Sequence, residues 1–143
     1  MGLTVRDALT PDSEAIAALL GQLGYPTEPA TVEARLERLS IVGDRVVVAD
    51  LDGRAVGLAH LQVAPAIELD QPAAKIGALV VDEAHRGRGI GRALVEAVEE
   101  EARARGCEVL FLTTSNRRDD AHAFYERLGL EQTGRRYGRT LSE

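Results

Sequence analysis

Tryptophan is absent, and three Tyr and two Phe bring the aromatic content of the 143 residues to only 3%. A core made from this chain must therefore be aliphatic, drawn from the Leu, Val, Ile and Ala that dominate its 45% hydrophobic content. One cysteine, Cys107, excludes an intramolecular disulfide framework. With no metal-ligand spacing around it, Cys107 reads as a small buried residue rather than a nucleophile, and no metal site is expected. One lysine, Lys75, leaves no Gly-Lys-Ser/Thr triphosphate loop. No apolar run approaches the ~20 residues of a membrane span, and no basic-then-apolar leader opens the chain, so the expectation is a cytoplasmic protein without membrane contact. A net charge of −6 argues against general binding to nucleic-acid phosphates.

The length suits a single domain over 1–143, and no repeat or linker-like stretch divides it. Charge is uneven: residues 1–75 hold 11 Asp/Glu against 6 Lys/Arg, whereas residues 76–143 hold 12 against 11. Leu3–Arg6 alternates as a short strand does. Thr10-Pro11-Asp12 offers a helix start, followed by Ile16, Leu19, Leu20 and Leu23 at helical spacing and a stop at Gly24-Tyr25-Pro26. A second helix is expected from about Glu28 to Leu39. The period then shortens: Arg45–Leu51 and Ala55–Val63 flank Asp52-Gly53, a hairpin signal. After a loop over Pro65–Pro72, Ala74–Val81 is a strand ending Leu79-Val80-Val81. Ile90–Arg105 is a helix with Gly106 beyond its end, bearing Glu99→Arg103 and Glu101→Arg105 pairs. Val109–Thr113 is a strand, Asp119 or Asp120 starts a short helix ending at Gly129, and Glu131–Leu141 is expected to close the fold with one or two strands. The order predicts an α+β (mixed α/β) domain around a central sheet, with one right-handed crossover making two strands parallel.

The chemistry concentrates in Arg86-Gly87-Arg88-Gly89-Ile90-Gly91-Arg92, between a strand and a helix. Glycine costs ~0.5–1 kcal/mol per residue in order, so three in seven residues need a reason. They let the backbone approach a ligand, and their amides with the free N–H groups of the new helix suit a diphosphate. A dinucleotide fingerprint requires glycine where this chain has Arg92, so that reading fails.

With this turn, Lys75–Leu130 resembles the GNAT N-acetyltransferase family. The resemblance rests on two blocks in the right order: Leu79-Val80-Val81 followed by Arg86-x-x-Gly89-x-Gly91, and then Asn116 followed by Ala121-His122-Ala123-Phe124-Tyr125-Glu126-Arg127-Leu128-Gly129-Leu130. It implies the acyl-CoA N-acyltransferase fold: a mostly antiparallel sheet, a splayed parallel strand pair and about four helices. It also implies acetyl-CoA as co-substrate, a small-molecule amine as acceptor and, as in many members, a homodimer. The Arg135–Arg139 segment would be its interface strand, and a charged edge strand is the simpler reading of the same residues.

Carried over residue by residue, the resemblance puts the pantetheine arm on the backbone of Leu79, Val80 and Val81. It puts the pyrophosphate on Arg86, Gly87, Arg88, Gly89, Ile90, Gly91 and Arg92, with Asn116 and His122 also on the cofactor. Tyr125 becomes the general acid for the departing thiolate, against the alternative of a core tyrosine on the stripe Ala121, Tyr125, Leu128. His122 is equally well read as a surface residue, and His60 and His85 read as structural or exposed. Many members carry an acidic residue shortly before Leu-Val-Val, where this chain has Gly77 and Ala78. Glu68 is then the candidate base, with Asp70, Glu28 or a water chain as alternatives. Tyr25 and Glu28, between the first two helices, are candidates for the acceptor side, and the acidic first half suits a cationic amine. A CoA-binding regulatory domain and a protein or peptide N-acetyltransferase remain as alternative functions.

Overall fold

Short runs rich in Val, Leu and Ala build three antiparallel strands from the first half of the chain. In the computed structural model, which describes residues 2–113 and 119–142, β1 is Leu3–Asp7, β2 Arg45–Leu51 and β3 Arg54–Ala64. The β2–β3 hairpin turns at Asp52 and Gly53, both at positive φ. β4 (Ala73–Val81) pairs antiparallel with β3, and β5 (Val109–Leu112) parallel with β4, giving the sheet order β1-β2-β3-β4-β5. The crossover between the parallel strands contains α3 (Ile90–Ala104).

Two helical layers cover this sheet. α1 (Ser13–Leu23) follows a short 3₁₀ turn at Thr10–Asp12, and α2 is Pro29–Ile41. Ile16, Ala17 and Leu19 of α1 and Val32 of α2 join Val48, Leu58 and Val80 of the sheet in one buried aliphatic cluster. Side chains alternate across a strand, so Ala49 and Gly57 lie on the opposite face, where Leu94 and Ile90 of α3 sit against them. Leu94 is fully buried there, and truncating a core leucine of this kind costs about 2–5 kcal/mol.

The chain groups into two compact units, Met1–Leu112 and Thr113–Glu143. In the second, α4 runs Asp119–Arg127 and ends at Gly129, where Leu130 N–H donates to Tyr125 C=O at 3.1 Å. The strands expected over Glu131–Leu141 do not form: residues 130–142 carry no assigned strand and 131–142 are exposed. A strand needs a neighbour to take its N–H and C=O groups, and none among the described residues pairs there. Cys107 is half-buried rather than buried, because it lies in the turn just past α3, with its N–H on Ala102 C=O at 3.0 Å. Both expected i,i+4 pairs form, Arg103–Glu99 at 3.2 Å and Arg105–Glu101 at 2.7 Å. No described helix is long and apolar enough to cross a membrane.

Arg6 ties β1 to the start of α1 and to the β2–β3 hairpin. Its guanidinium donates twice to Asp12, at 2.8 and 2.9 Å, and once to Asp50 at 2.8 Å. Asp12 also accepts Leu9 N–H at 2.8 Å. The Arg6 hydrogen bonds hold the Asp12 carboxyl below the usual carboxylate range, against the opposing pull of burial. A carboxyl whose folded-state pKa is depressed stabilises the fold above its unfolded pKa of about 3.9, and that contribution fades as pH falls through the folded value. Asp12→Asn should therefore cost about 1–3 kcal/mol at neutral pH, and its deficit relative to the parent should shrink below about pH 4. Thermal unfolding of both proteins across that range measures it.

Candidate active site

β4 opens the site. It pairs with β3 from Ala73 to Val81 except at Gly77, but β5 pairs only with Ala73–Ile76. From Gly77 to Val81 no strand among the described residues covers the other edge, so backbone groups there are available to an extended, amide-bearing ligand. Val80 is buried in the α1/α2 cluster, while Leu79 and Val81 are half-buried. Core packing and an open backbone therefore coexist in Leu79-Val80-Val81.

The turn after β4 is held before it reaches the glycines. Asp82 N–H donates to Val56 C=O at 2.8 Å, and a 3₁₀ turn spans Glu83–His85. The Asp82 carboxylate accepts from Gln22 Nε2 at 2.7 Å and from His85 Nδ1 at 2.6 Å, while Gln22 Oε1 accepts Glu83 N–H at 2.9 Å. The Gln22 and then the His85 hydrogen bond hold the Asp82 carboxyl below its ordinary value. α1 thus fixes the start of the loop through a residue sixty positions away. Neither Asp82 nor Gln22 was singled out from sequence. The i,i+3 spacing of Asp82 and His85 is the only local signal, and the Gln22 partner has none.

At the loop's end Gly89 is the N-cap of α3, with φ +79° and ψ 9°, and no side chain caps the helix. The first helical bond is Ala93 N–H to Gly89 C=O at 3.1 Å, so the four preceding amides lack helical partners. No acidic residue lies in the first turn, where helices usually place one. Arg86, Arg88 and Arg92 are exposed around it instead, while Ile90 and Gly91 are buried and seat the helix on the sheet. Positive side chains beside the positive end of a helix dipole gain from an anion between them, and a diphosphate fits that need.

The other sequence candidates are more scattered. Tyr25 is exposed in the turn between α1 and α2, its N–H on Leu20 C=O and its C=O accepting Thr27 Oγ1 at 2.7 Å. Glu28 is exposed at the start of α2. Glu68 and Asp70 are exposed on the 65–72 loop. In the second unit, Tyr125 and His122 are half-buried on α4, and the Tyr125 ring stacks tilted on Phe124 at 5.6 Å between centroids. Asn116 lies outside the described residues. His60 and His85 are neither idle nor plainly exposed, since each is bonded to an aspartate. Among the described residues no three His, Cys, Asp or Glu side chains gather as a metal site would.

Comparison with known proteins agrees with this geometry. The sequence model of the acetyltransferase (GNAT) family matches residues 10–130. The chain belongs to that family. It is similar to the aminoalkylphosphonate N-acetyltransferase of Salmonella typhimurium, with 31% identity across 96% of this chain and 90% of that protein. It is also similar to the glucosamine 6-phosphate N-acetyltransferase of Trypanosoma brucei brucei, with 33% identity across 78% of this chain and 77% of that one. Among solved structures, a transcriptional regulator from Bacillus halodurans C-125 superposes with a TM-score of 0.89 at 27% identity, covering 97% of this chain and 99% of its own. The expected GNAT fold is the fold observed.

Gly89 gives a direct test of the loop. A β-branched residue at φ +79° is strained by about 1–2 kcal/mol, so Gly89→Val should lower thermal stability by about that amount and weaken acetyl-CoA binding at least tenfold. Calorimetric titration with acetyl-CoA reads the second effect, and unchanged affinity would remove the loop from the cofactor site.

Proposed function

We propose that this protein is an N-acetyltransferase that moves the acetyl group of acetyl-CoA to the primary amine of a small molecule by direct attack. The observation that carries the reading is the uncapped, arginine-flanked start of α3 following directly on the open edge of β4. Acetyl-CoA supplies an activated thioester. The amides and arginines of 86–92 hold its diphosphate, and the backbone of 79–81 aligns its amide-bearing arm along β4, with Asn116 and His122 as further contacts. Tyr125 gives a proton to sulfur as the C–S bond breaks, which spares the release of a free thiolate. Tyr25 and Glu28 border the acceptor's entrance. Two similar proteins are named for acetylating small amines, an aminoalkylphosphonate and an amino sugar phosphate, which supports a small acceptor over a protein. The family match runs across both compact units, which supports reading 1–143 as one catalytic domain. A cytoplasmic setting and a homodimer go with this reading.

A second reading is a CoA-binding regulatory domain without turnover. Its support is the similarity to a structure described as a transcriptional regulator, together with Gly77 and Ala78 at positions where the family resemblance implies an acid.

Release of free CoA thiol, followed across aminoalkylphosphonates, glucosamine 6-phosphate, aminoglycosides and short peptides, separates the two. Small amines should turn over, and Tyr125→Phe should slow the best of them by about 10²-fold or more with little change in acetyl-CoA affinity. Full activity in that variant would exclude Tyr125 as the acid. Tight acetyl-CoA binding with no turnover on any acceptor would favour the regulatory reading.

A further inference from the structure

β4 carries a bulge where its edge opens. Pairing runs from His60↔Ala78 directly to Leu61↔Ile76, so Gly77 is an extra residue with no partner on β3. Gly77 is also the first residue beyond the β5 ladder, which ends at Ile76↔Leu112. The space its side chain would take is filled by another residue. A Cβ at 77 would lie 2.5 Å from His60 Nδ1 and 3.2 Å from His60 Cε1. The opposite ring nitrogen, Nε2, is 2.8 Å from Asp44 Oδ2.

These distances set the chemistry of the ring. A carboxylate only accepts hydrogen bonds, so Nε2 carries a proton here, and in the neutral form of the ring Nδ1 presents its lone pair to the bulge. Asp44 is only 6% exposed and is itself placed by the end of α2, its N–H on Leu39 C=O at 3.0 Å. The His60 side chain retains 20% exposure, so the ring is not sealed in the core. From Val81 back to Gly77 the open edge measures about 13 Å at ~3.3 Å per residue. A cofactor with its diphosphate at 86–92 and its arm on 79–81 brings the thioester toward the bulge.

We propose that His60, oriented by Asp44, is the base that takes the proton of the acceptor amine. The proposal rests on the acetyltransferase reading above. Nδ1 takes one proton from the amine nitrogen, whose electron pair forms the C–N bond at the thioester carbonyl carbon. The C–S bond breaks with its electron pair on sulfur, Tyr125 protonates the sulfur, and the proton held by His60 passes through solvent to restore the Tyr125 phenol. The chain thus replaces a side chain on β4 with one reaching across from β3, and Gly77 is small because the imidazole occupies its place. Glu68, by contrast, is exposed on the 65–72 loop. Asp44 is a positioning residue.

The test uses the full-length protein and the best amine found in the thiol-release panel. His60→Gln should lower kcat about 10²-fold while acetyl-CoA affinity and melting temperature stay near the parent's. Gly77→Ala, which keeps the imidazole but pushes it off the bulge, should lower kcat about tenfold with the same affinity. Independently of turnover, ¹⁵N spectra of the His60 ring in alkaline buffer should show the proton on Nε2, and Asp44→Asn should shift that tautomer balance. Parent-like kcat in His60→Gln, a proton on Nδ1 in the parent, or a loss confined to Glu68→Gln would each overturn the base assignment and leave the acetyltransferase reading standing. A parent protein that binds acetyl-CoA and acetylates no amine would overturn that reading, and the base with it.

Discussion

Among the described residues, β4 is bonded on both edges for only four of its nine residues, and the rest of the site follows from that shortage. A half-paired strand in the middle of a sheet is costly unless something satisfies its free amides and carbonyls. Here side-chain packing keeps the strand in place without its second neighbour: Val80 is locked into the aliphatic cluster under α1 and α2. The strand can therefore offer its edge to a ligand and remain rigid.

The same logic governs the turn that follows. Helices are ordinarily finished at their start by a capping side chain or an acidic first turn, and α3 has neither. The loop that delivers it is instead held from behind, by Asp82 with Gln22 and His85, so the glycines need not supply their own order. At the far end of the helix Arg105 bonds Gly43 C=O and shares Glu101 with Arg45. α3 is thereby fixed at both ends by contacts with distant elements, which keeps its unsatisfied N-terminus pointing at one place. Stability is supplied around the binding loop rather than within it.

Much of this was legible because it depends on neighbours in sequence. The hairpin at Asp52-Gly53, the limits of β4 and α3, and the glycine–arginine turn all came from period, turn chemistry and capping, and the structure has each within a residue or two of its expected place. The resemblance carried by 79–91 and 121–130 identified the family, since those motifs record a local backbone shape. The expected C-terminal strands failed for the converse reason. A strand over Glu131–Leu141 requires a partner along its edge, and none among the described residues pairs there.

The sequence by itself determined the aliphatic core, the order of elements through α4, the family and the place of the glycine–arginine turn, because each rests on residue type and short-range spacing. Only the tertiary structure decided how far β5 accompanies β4, which side chain steadies the loop, and what fills the space at Gly77. The physical reason is separation along the chain: Gln22 meets Asp82 across sixty residues, and the His60 that Asp44 holds meets Gly77 at a bulge set by the register of β3 against β4. No local pattern encodes such contacts. They exist only once the sheet has chosen its register.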